Sequence, residues 1–361
     1  MIPDEQSPVA GQVQDAIDVL DQMRRQRREE RRRLVHQLCA VDGRGLVGRV
    51  SSASAHIDAH IAANGNEPGA IPTETQAAVL RHIASACLQT IHQVRAAYLG
   101  PLHSYSHLAA IKYFGDAAAL TPVASIPAVF DAVDRGDVAA GIVPIENSTD
   151  GRVVDTLGML VRREMPICGE VLLPIHHNLL SRTPRSEIVE VYSKPQALSQ
   201  CRGWLANQLP GARLVEISST AAAAKLAAEK HGVAAVASIE AGRQYDLDVI
   251  DANIEDNPNN VTRFAVLGKE LPLPTGDDKT VILFQVSHQP GALADAMTIF
   301  KRHELNLTWI ESFPMPERKN EYMFFIELAG HRDDGDVRLA IEELRAMMQR
   351  LTILGSFPRA A

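Results

Sequence analysis

The sequence predicts an α/β protein in three parts: a helical N-terminal portion, a central α/β region and a C-terminal αβ sandwich. Three observations predict it. Residues 1–97 contain no aromatic side chain and no lysine, while apolar residues recur there at helical spacing. From Tyr98 onward, short apolar runs alternate with helical patterns, the signature of strands joined by helices. The proline-rich Pro272-Leu273-Pro274-Thr275-Gly276-Asp277-Asp278 then reads as a hinge before a last unit.

Each part follows from its own pattern. In the first, Leu20, Leu34, Val35 and Leu38, then Val79, Leu80, Ile83, Cys87 and Ile91, mark helix faces, interrupted by the loop signal Asn64-Gly65-Asn66-Glu67-Pro68-Gly69. In the second, Val138–Val143, Val189–Tyr192 and Val233–Ala237 read as core strands of a largely parallel sheet. The third reads strand (Thr280–Val286), helix (Gly291–His303), strand (Leu307–Pro314), strand (Tyr322–Leu328), helix (Asp334–Arg350), strand (Leu351–Phe357). The implied divisions are residues 1–96, 97–272 and 279–361.

Composition excludes several classes. A net charge of -8 gives no polyanion-binding signal. The arginine run Arg24–Arg33 is offset locally: residues 1–98 hold eleven arginines and eleven acidic residues, a net of zero. Accumulated charge drives nucleic-acid binding, so no nucleic-acid partner is expected. No apolar run has the length of a spanning helix and the N-terminus has no signal-peptide core, so no membrane partner is expected. Cys39, Cys87, Cys168 and Cys201 lack paired spacing and read as reduced thiols of a cytoplasmic protein. His56 and His60 have helical ligand spacing without a third ligand, and no metal site is predicted.

Polar clusters follow the predicted strands. They are His103-Ser104-Tyr105-Ser106-His107, Glu146-Asn147-Ser148-Thr149-Asp150-Gly151, Ser193-Lys194-Pro195-Gln196 continuing to Gln200, Ser219-Thr220, and Asn257-Pro258-Asn259-Asn260-Val261-Thr262-Arg263-Phe264. Strand-end loops are where chemistry is placed on a rigid scaffold. Taken singly, each polar residue also reads as a turn or a helix cap. Arg263 can grip a carboxylate with paired donors or hold its loop by an ion pair. Glu146 can orient neighbours or complete such a pair.

Together, in order and spacing, these clusters resemble the prephenate dehydratase family over residues 97–272. The resemblance implies two α/β lobes like type II periplasmic binding proteins, with prephenate bound between them. Loss of carbon dioxide and water then yields phenylpyruvate, on the way to L-phenylalanine. Aromatisation drives that reaction, so no cofactor is implied. Thr262 is implied as the catalytic residue, donating a proton to the departing hydroxyl or orienting it. Ser104, Ser106, Glu146, Asn147, Ser148, Ser193, Gln200, Ser219, Thr220, Asn260, Arg263 and Phe264 are implied as substrate-binding. His103 departs from the family pattern, which has glycine there. If that position needs a positive φ, the turn is strained.

The last unit resembles an ACT domain. Gly291, Ala292 and Leu293, with Asn306, Leu307, Thr308, Glu311 and Ser312, match the motifs that bind an amino-acid effector, here implied to be L-phenylalanine. Phe313 replaces a customary arginine. Such domains pair, so a homodimer or homotetramer is implied. Residues 1–96 resemble a chorismate mutase domain in position, as in bifunctional fusions. The segment lacks lysine and the family's central signature, which implies a degenerate domain. Active mutase, arogenate as substrate, or an amino-acid sensor without turnover are the alternative readings.

Overall fold

The small side chains of Ala96 and Ala97 let β1 (Arg95–Leu99) lie between its neighbours in the first sheet, with Ala96, Ala97 and Tyr98 fully buried. The computed structural model describes residues 94–115, 117–315 and 321–360, together with Thr75. Apart from Thr75 and residues 94–96, the N-terminal part lies outside the described residues, and so do the helical and mutase-like expectations for it.

Around β1 stand α1 (Tyr105–Phe114), β2 (Ala119–Val123), α2 (Ile126–Asp134), β3 (Ala140–Asn147), β4 (Gly151–Arg152), α3 (Val154–Arg163) and β5 (Ile167–Pro174). The chain then builds a second sheet from β6 (Asn178–Ser181), β7 (Glu190–Ser193), β8 (Arg213–Glu216), β9 (Val233–Ala237) and β10 (Asp248–Asp251). Between its strands lie α4 (Pro195–Gln200), α5 (Arg202–Gln208), α6 (Thr220–Glu229) and α7 (Ile239–Gln244). β11 (Val261–Gly268) returns to the first lobe.

The strand orders are β2-β1-β3-β11-β5, with β4 on β3, and β10-β6-β9-β7-β8. This is the two-lobed arrangement that the resemblance implies. It differs from a single, largely parallel sheet. β2, β1 and β3 are parallel, but β11 runs antiparallel to both β3 and β5. The geometry requires it: β5 leaves the first lobe at the cleft, and β11 re-enters there running the other way. β6 is likewise antiparallel to both of its neighbours.

The C-terminal unit comprises β12 (Asp278–Gln285), α8 (Ala292–Arg302), β13 (Leu307–Pro314), β14 (Tyr322–Ala329), α9 (Gly335–Met347) and β15 (Arg350–Pro358), ordered β13-β14-β12-β15. The predicted element order is reproduced. α9 stops before Arg350 because Met348 is already extended and Arg350 pairs with Gln285. One face of this sheet packs on α8 and α9 through Phe284, Ile299, Phe300 and Leu344. The other face joins α2, α3 and the first sheet in one apolar core that includes Phe130, Leu160, Leu267, Phe325 and Phe357.

That junction is close enough to test. A Cβ on Gly355 would lie 1.9 Å from the Ile167 carbonyl oxygen of β5, where no flexible side chain can yield. Gly355→Ala is expected to destabilise by about 1–3 kcal/mol through overpacking, read as a lower thermal midpoint. An unchanged midpoint would show that the two sheets separate freely.

His103 has φ 62, so the position does adopt the left-handed backbone for which glycine is suited. Its N–H donates to Nδ1 of His107 at 3.2 Å. Among the described residues, no helix is long and apolar enough to cross a membrane.

Candidate active site

The two lobes enclose a cleft of about 1040 Å³. The first lobe lines it with Ser104, Tyr105, Ser106, Asn147, Asp150, Arg152, Thr262 and Phe264, the second with His177, Lys194, Gln200, Ser219 and Thr220. Thr262 and Phe264 reach it from one face of β11, because strand residues two apart point the same way.

Asn147 ends β3 opposite Thr262 in the β3–β11 register. Its side-chain oxygen accepts the N–H groups of Thr149 (2.9 Å) and Asp150 (3.0 Å), which fixes the amide orientation. Its Nδ2 therefore donates to Oδ1 of Asn260 and Oγ1 of Thr262, both at 2.8 Å. Thr262 Oγ1 thus accepts, and its own hydrogen is left for the cleft. A donor held on that oxygen also stabilises the negative charge that grows there as the proton leaves.

The chain of amides continues across the cleft. Asn260 Nδ2 donates to Gln200 Oε1 at 2.9 Å, and Gln200 Nε2 donates to Asp150 Oδ2 at 2.8 Å. With Gln200 oriented in this way, His177 meets its Oε1 through Nε2–H at 2.8 Å, while its Nδ1 faces the Tyr105 hydroxyl at 3.1 Å. Burial holds the His177 ring below the ordinary histidine range, and pushes the Tyr105 phenol well above its own. Both are neutral near pH 7. The backbone N–H of His177 donates to Glu255 Oε2 at 2.9 Å. The network joins β3, β11 and α4, so it ties one lobe to the other through Thr262's immediate neighbours.

Helix starts face the cleft from both sides. Ser104 caps α1, accepting His107 N–H at 3.3 Å, and Ser219 caps α6, accepting Ala222 N–H at 3.1 Å. Backbone N–H groups at such starts favour anions. Ser106 and Thr220 are buried just inside these two helices.

The remaining expected substrate ligands stand elsewhere. Ser193 is fully buried and donates to the Val236 carbonyl at 2.6 Å, pinning β7 to β9. Ser148 bridges Asn259 O (3.2 Å) and Val261 N (2.9 Å), fastening the loop that feeds β11. Arg263 points from the opposite face of β11 towards the C-terminal sheet. Its Nη1 meets Glu327 at 2.8 Å and Glu170 at 3.9 Å, its Nε lies 3.7 Å from Glu146, and its guanidinium covers Trp309 at 4.9 Å. Lys279 completes the cluster, 2.9 Å from Glu170 and 3.2 Å from Glu327. Burial raises the Glu327 carboxyl, but Arg263, Thr308 and Lys279 together outweigh it and hold the group below its ordinary range.

The expected effector residues divide. Gly291 takes φ 85 as it opens α8, while Leu293 and Leu307 pack into the core of the C-terminal unit. Ala292 begins α8, and the Asn306 carbonyl accepts Ala329 N–H at 3.0 Å. Thr308 donates to Glu327 at 2.5 Å. Glu311 and Ser312 both meet Arg152, and Phe313 packs against Gly158 of α3.

Of the other cleft residues, Tyr105, Asp150 and Lys194 belong to the polar clusters of the sequence without having been singled out as ligands, while Arg152 and His177 lie outside those clusters.

A family model described as prephenate dehydratase matches residues 96–272, and one described as ACT domain matches residues 280–346. The bifunctional chorismate mutase/prephenate dehydratase of Aquifex aeolicus (strain VF5) is 42% identical over 293 residues, 81% of each chain. The one of Neisseria gonorrhoeae (strain ATCC 700825 / FA 1090) is 36% identical over 350 residues, 96% of each. The structure of prephenate dehydratase in complex with L-Phe from Arthrobacter aurescens matches with a TM-score of 0.69 and 33% identity, over 74% of this chain and 90% of that one. A family model that spans the strands carrying Asn147 and Thr262, with relatives covered to 81% and 96% of their length, means that the chain belongs to the prephenate dehydratase family and carries an ACT domain.

Proposed function

We propose that the cleft converts prephenate to phenylpyruvate in L-phenylalanine biosynthesis, and that L-phenylalanine bound at the ACT domain lowers the rate. The observation that carries the chemistry is Thr262, whose hydroxyl accepts from Asn147 and keeps its hydrogen for the cleft. As the ring carboxylate leaves as carbon dioxide, its bonding electrons move into the ring and expel the hydroxyl. Thr262 protonates that oxygen, so water departs, and solvent returns one proton to Thr262 per turnover. The substrate dianion plus one proton balances phenylpyruvate, carbon dioxide and water. The α1 and α6 starts, on opposite lobes, suit the two carboxylates. Gln200 and Phe264 line the cleft between them, Asn260 holds Asn147 and Gln200 from behind, and Ser148, Ser193, Glu146 and Arg263 hold the walls.

The same reading makes the protein a cytoplasmic homodimer or homotetramer, with residues 1–96 as a degenerate mutase-like segment that serves pairing. Prephenate and arogenate differ by a keto oxygen and an amino group, and prephenate is taken as the substrate. The decisive assay measures phenylpyruvate from prephenate with and without millimolar phenylalanine, beside chorismate alone. Turnover of prephenate, slowed by phenylalanine and absent with chorismate, is expected. Phenylpyruvate from chorismate above its spontaneous background would overturn the reading of residues 1–96. Failure with prephenate but success with arogenate would reassign the substrate, and failure with both would leave a sensor.

A further inference from the structure

Arg152 belongs to two neighbourhoods at once. It forms β4, pairs with Glu146 by backbone, and lines the cleft beside Asn147, Asp150 and Gly151. Its guanidinium, however, reaches the ACT sheet. Nη1 donates to Glu311 Oε2 at 2.6 Å and to the Ser312 carbonyl at 3.0 Å, so both hydrogens of that nitrogen are spent on β13.

Among the described residues, cations in the cleft wall are few. Lys194 and Arg152 stand against Asp150 and Asp155, and His177 is neutral. A dianionic substrate therefore enters a cleft in which the one guanidinium among the described residues is engaged by a carboxylate of the regulatory strand. The Arg152 and Glu311 side chains are 38% and 25% exposed. A partly hydrated pair of this kind is held weakly, and exchanges one carboxylate for another at little cost. The fork of donors on arginine suits either partner equally.

We propose that Arg152 is a ligand for a substrate carboxylate, and that Glu311 of the ACT domain competes with the substrate for it. This inference rests on the proposed dehydratase reading. It gives the effector a physical route to the cleft. Whatever draws β13 against Arg152 weakens substrate binding, and by linkage bound substrate weakens the effector to the same degree. The catalytic hydroxyl need not move for this to operate, so regulation acts on KM.

Steady-state kinetics of the full chain with prephenate test it. Glu311→Gln removes the competing charge while keeping an acceptor, and KM is expected to fall about fivefold, with phenylalanine inhibition blunted. Arg152→Gln is expected to raise KM roughly 10–100-fold, the range for losing charged hydrogen bonds. In the double variant, the benefit of Glu311→Gln should vanish, since its target is gone. A merely structural ion pair predicts instead that both single changes act in the same direction. An unchanged or higher KM in Glu311→Gln overturns the proposal, and that variant alone suffices if Arg152→Gln does not fold. If the unaltered chain turns over no prephenate, the dehydratase reading fails and this inference with it.

Discussion

Replacing Thr262 with valine is expected to lower kcat by about 10²–10⁴-fold, the usual contribution of a positioned acid. Valine keeps the branched shape that fits β11 between β3 and β5, so the strand register is retained. What is lost is one hydroxyl. The cleft no longer has a hydrogen aimed at the departing oxygen, and Asn147 Nδ2 loses one of its two acceptors. Because the hydroxyl acts on charge that develops late, KM should change far less than kcat. Single-turnover kinetics with prephenate, together with a binding measurement of the same ligand, separate the outcomes. A kcat within threefold of the unaltered protein would remove Thr262 from the chemistry. Equal binding without turnover in both proteins would favour a sensor.

Replacing Arg263 with methionine is expected to destabilise the protein by about 3–5 kcal/mol, the cost of stripping one partner from a buried ion pair. Glu327 and Glu170 have side chains only 1% and 3% exposed, and Lys279 alone would face both. Denaturant unfolding at neutral pH measures the loss. Its pH dependence has a sign that follows from Glu327. In the folded protein this carboxyl lies below its ordinary range, so its contribution is present above the unfolded pKa and is lost as pH falls through the folded one. Without Arg263 that carboxyl titrates higher. Acidification then neutralises a charge the variant cannot pair, and the stability gap should narrow. A gap that stays constant down to about pH 4 would mean that the lost packing over Trp309, not the lost charge, sets the cost.

The three residues Thr262, Arg263 and Phe264 show what the sequence could and could not disclose. As a string they read as one binding element. On a strand they must alternate, and the structure sends the first and third to the cleft and the second to the regulatory sheet. The alternation was legible, but the destination of the odd residue depends on what covers the other face of β11. That cover is supplied by β12 and β14, from far along the chain. Ser193 is a similar case: the resemblance implied a ligand, while its bond to the Val236 carbonyl makes it a peg between strands. His177 was hidden for the converse reason, since its partners Tyr105 and Gln200 come from separate elements on two lobes. The C-terminal unit was the most legible part, because short apolar strand runs such as Tyr322–Ala329 stand out against amphipathic helices that carry their own period.

The position of β11 has a consequence for how the molecule can be made. It is the last strand of the first sheet to be synthesised, yet it sits in the middle, between β3 and β5. Until the entire second lobe has emerged, β3 and β5 present two open edges with an apolar gap between them. Nascent or truncated chains ending before Val261 are therefore sticky intermediates rather than half-sized domains. Cutting the protein into its lobes would yield aggregates, and a circular permutation that opens the second lobe would let β11 be made first and nucleate the sheet it now completes.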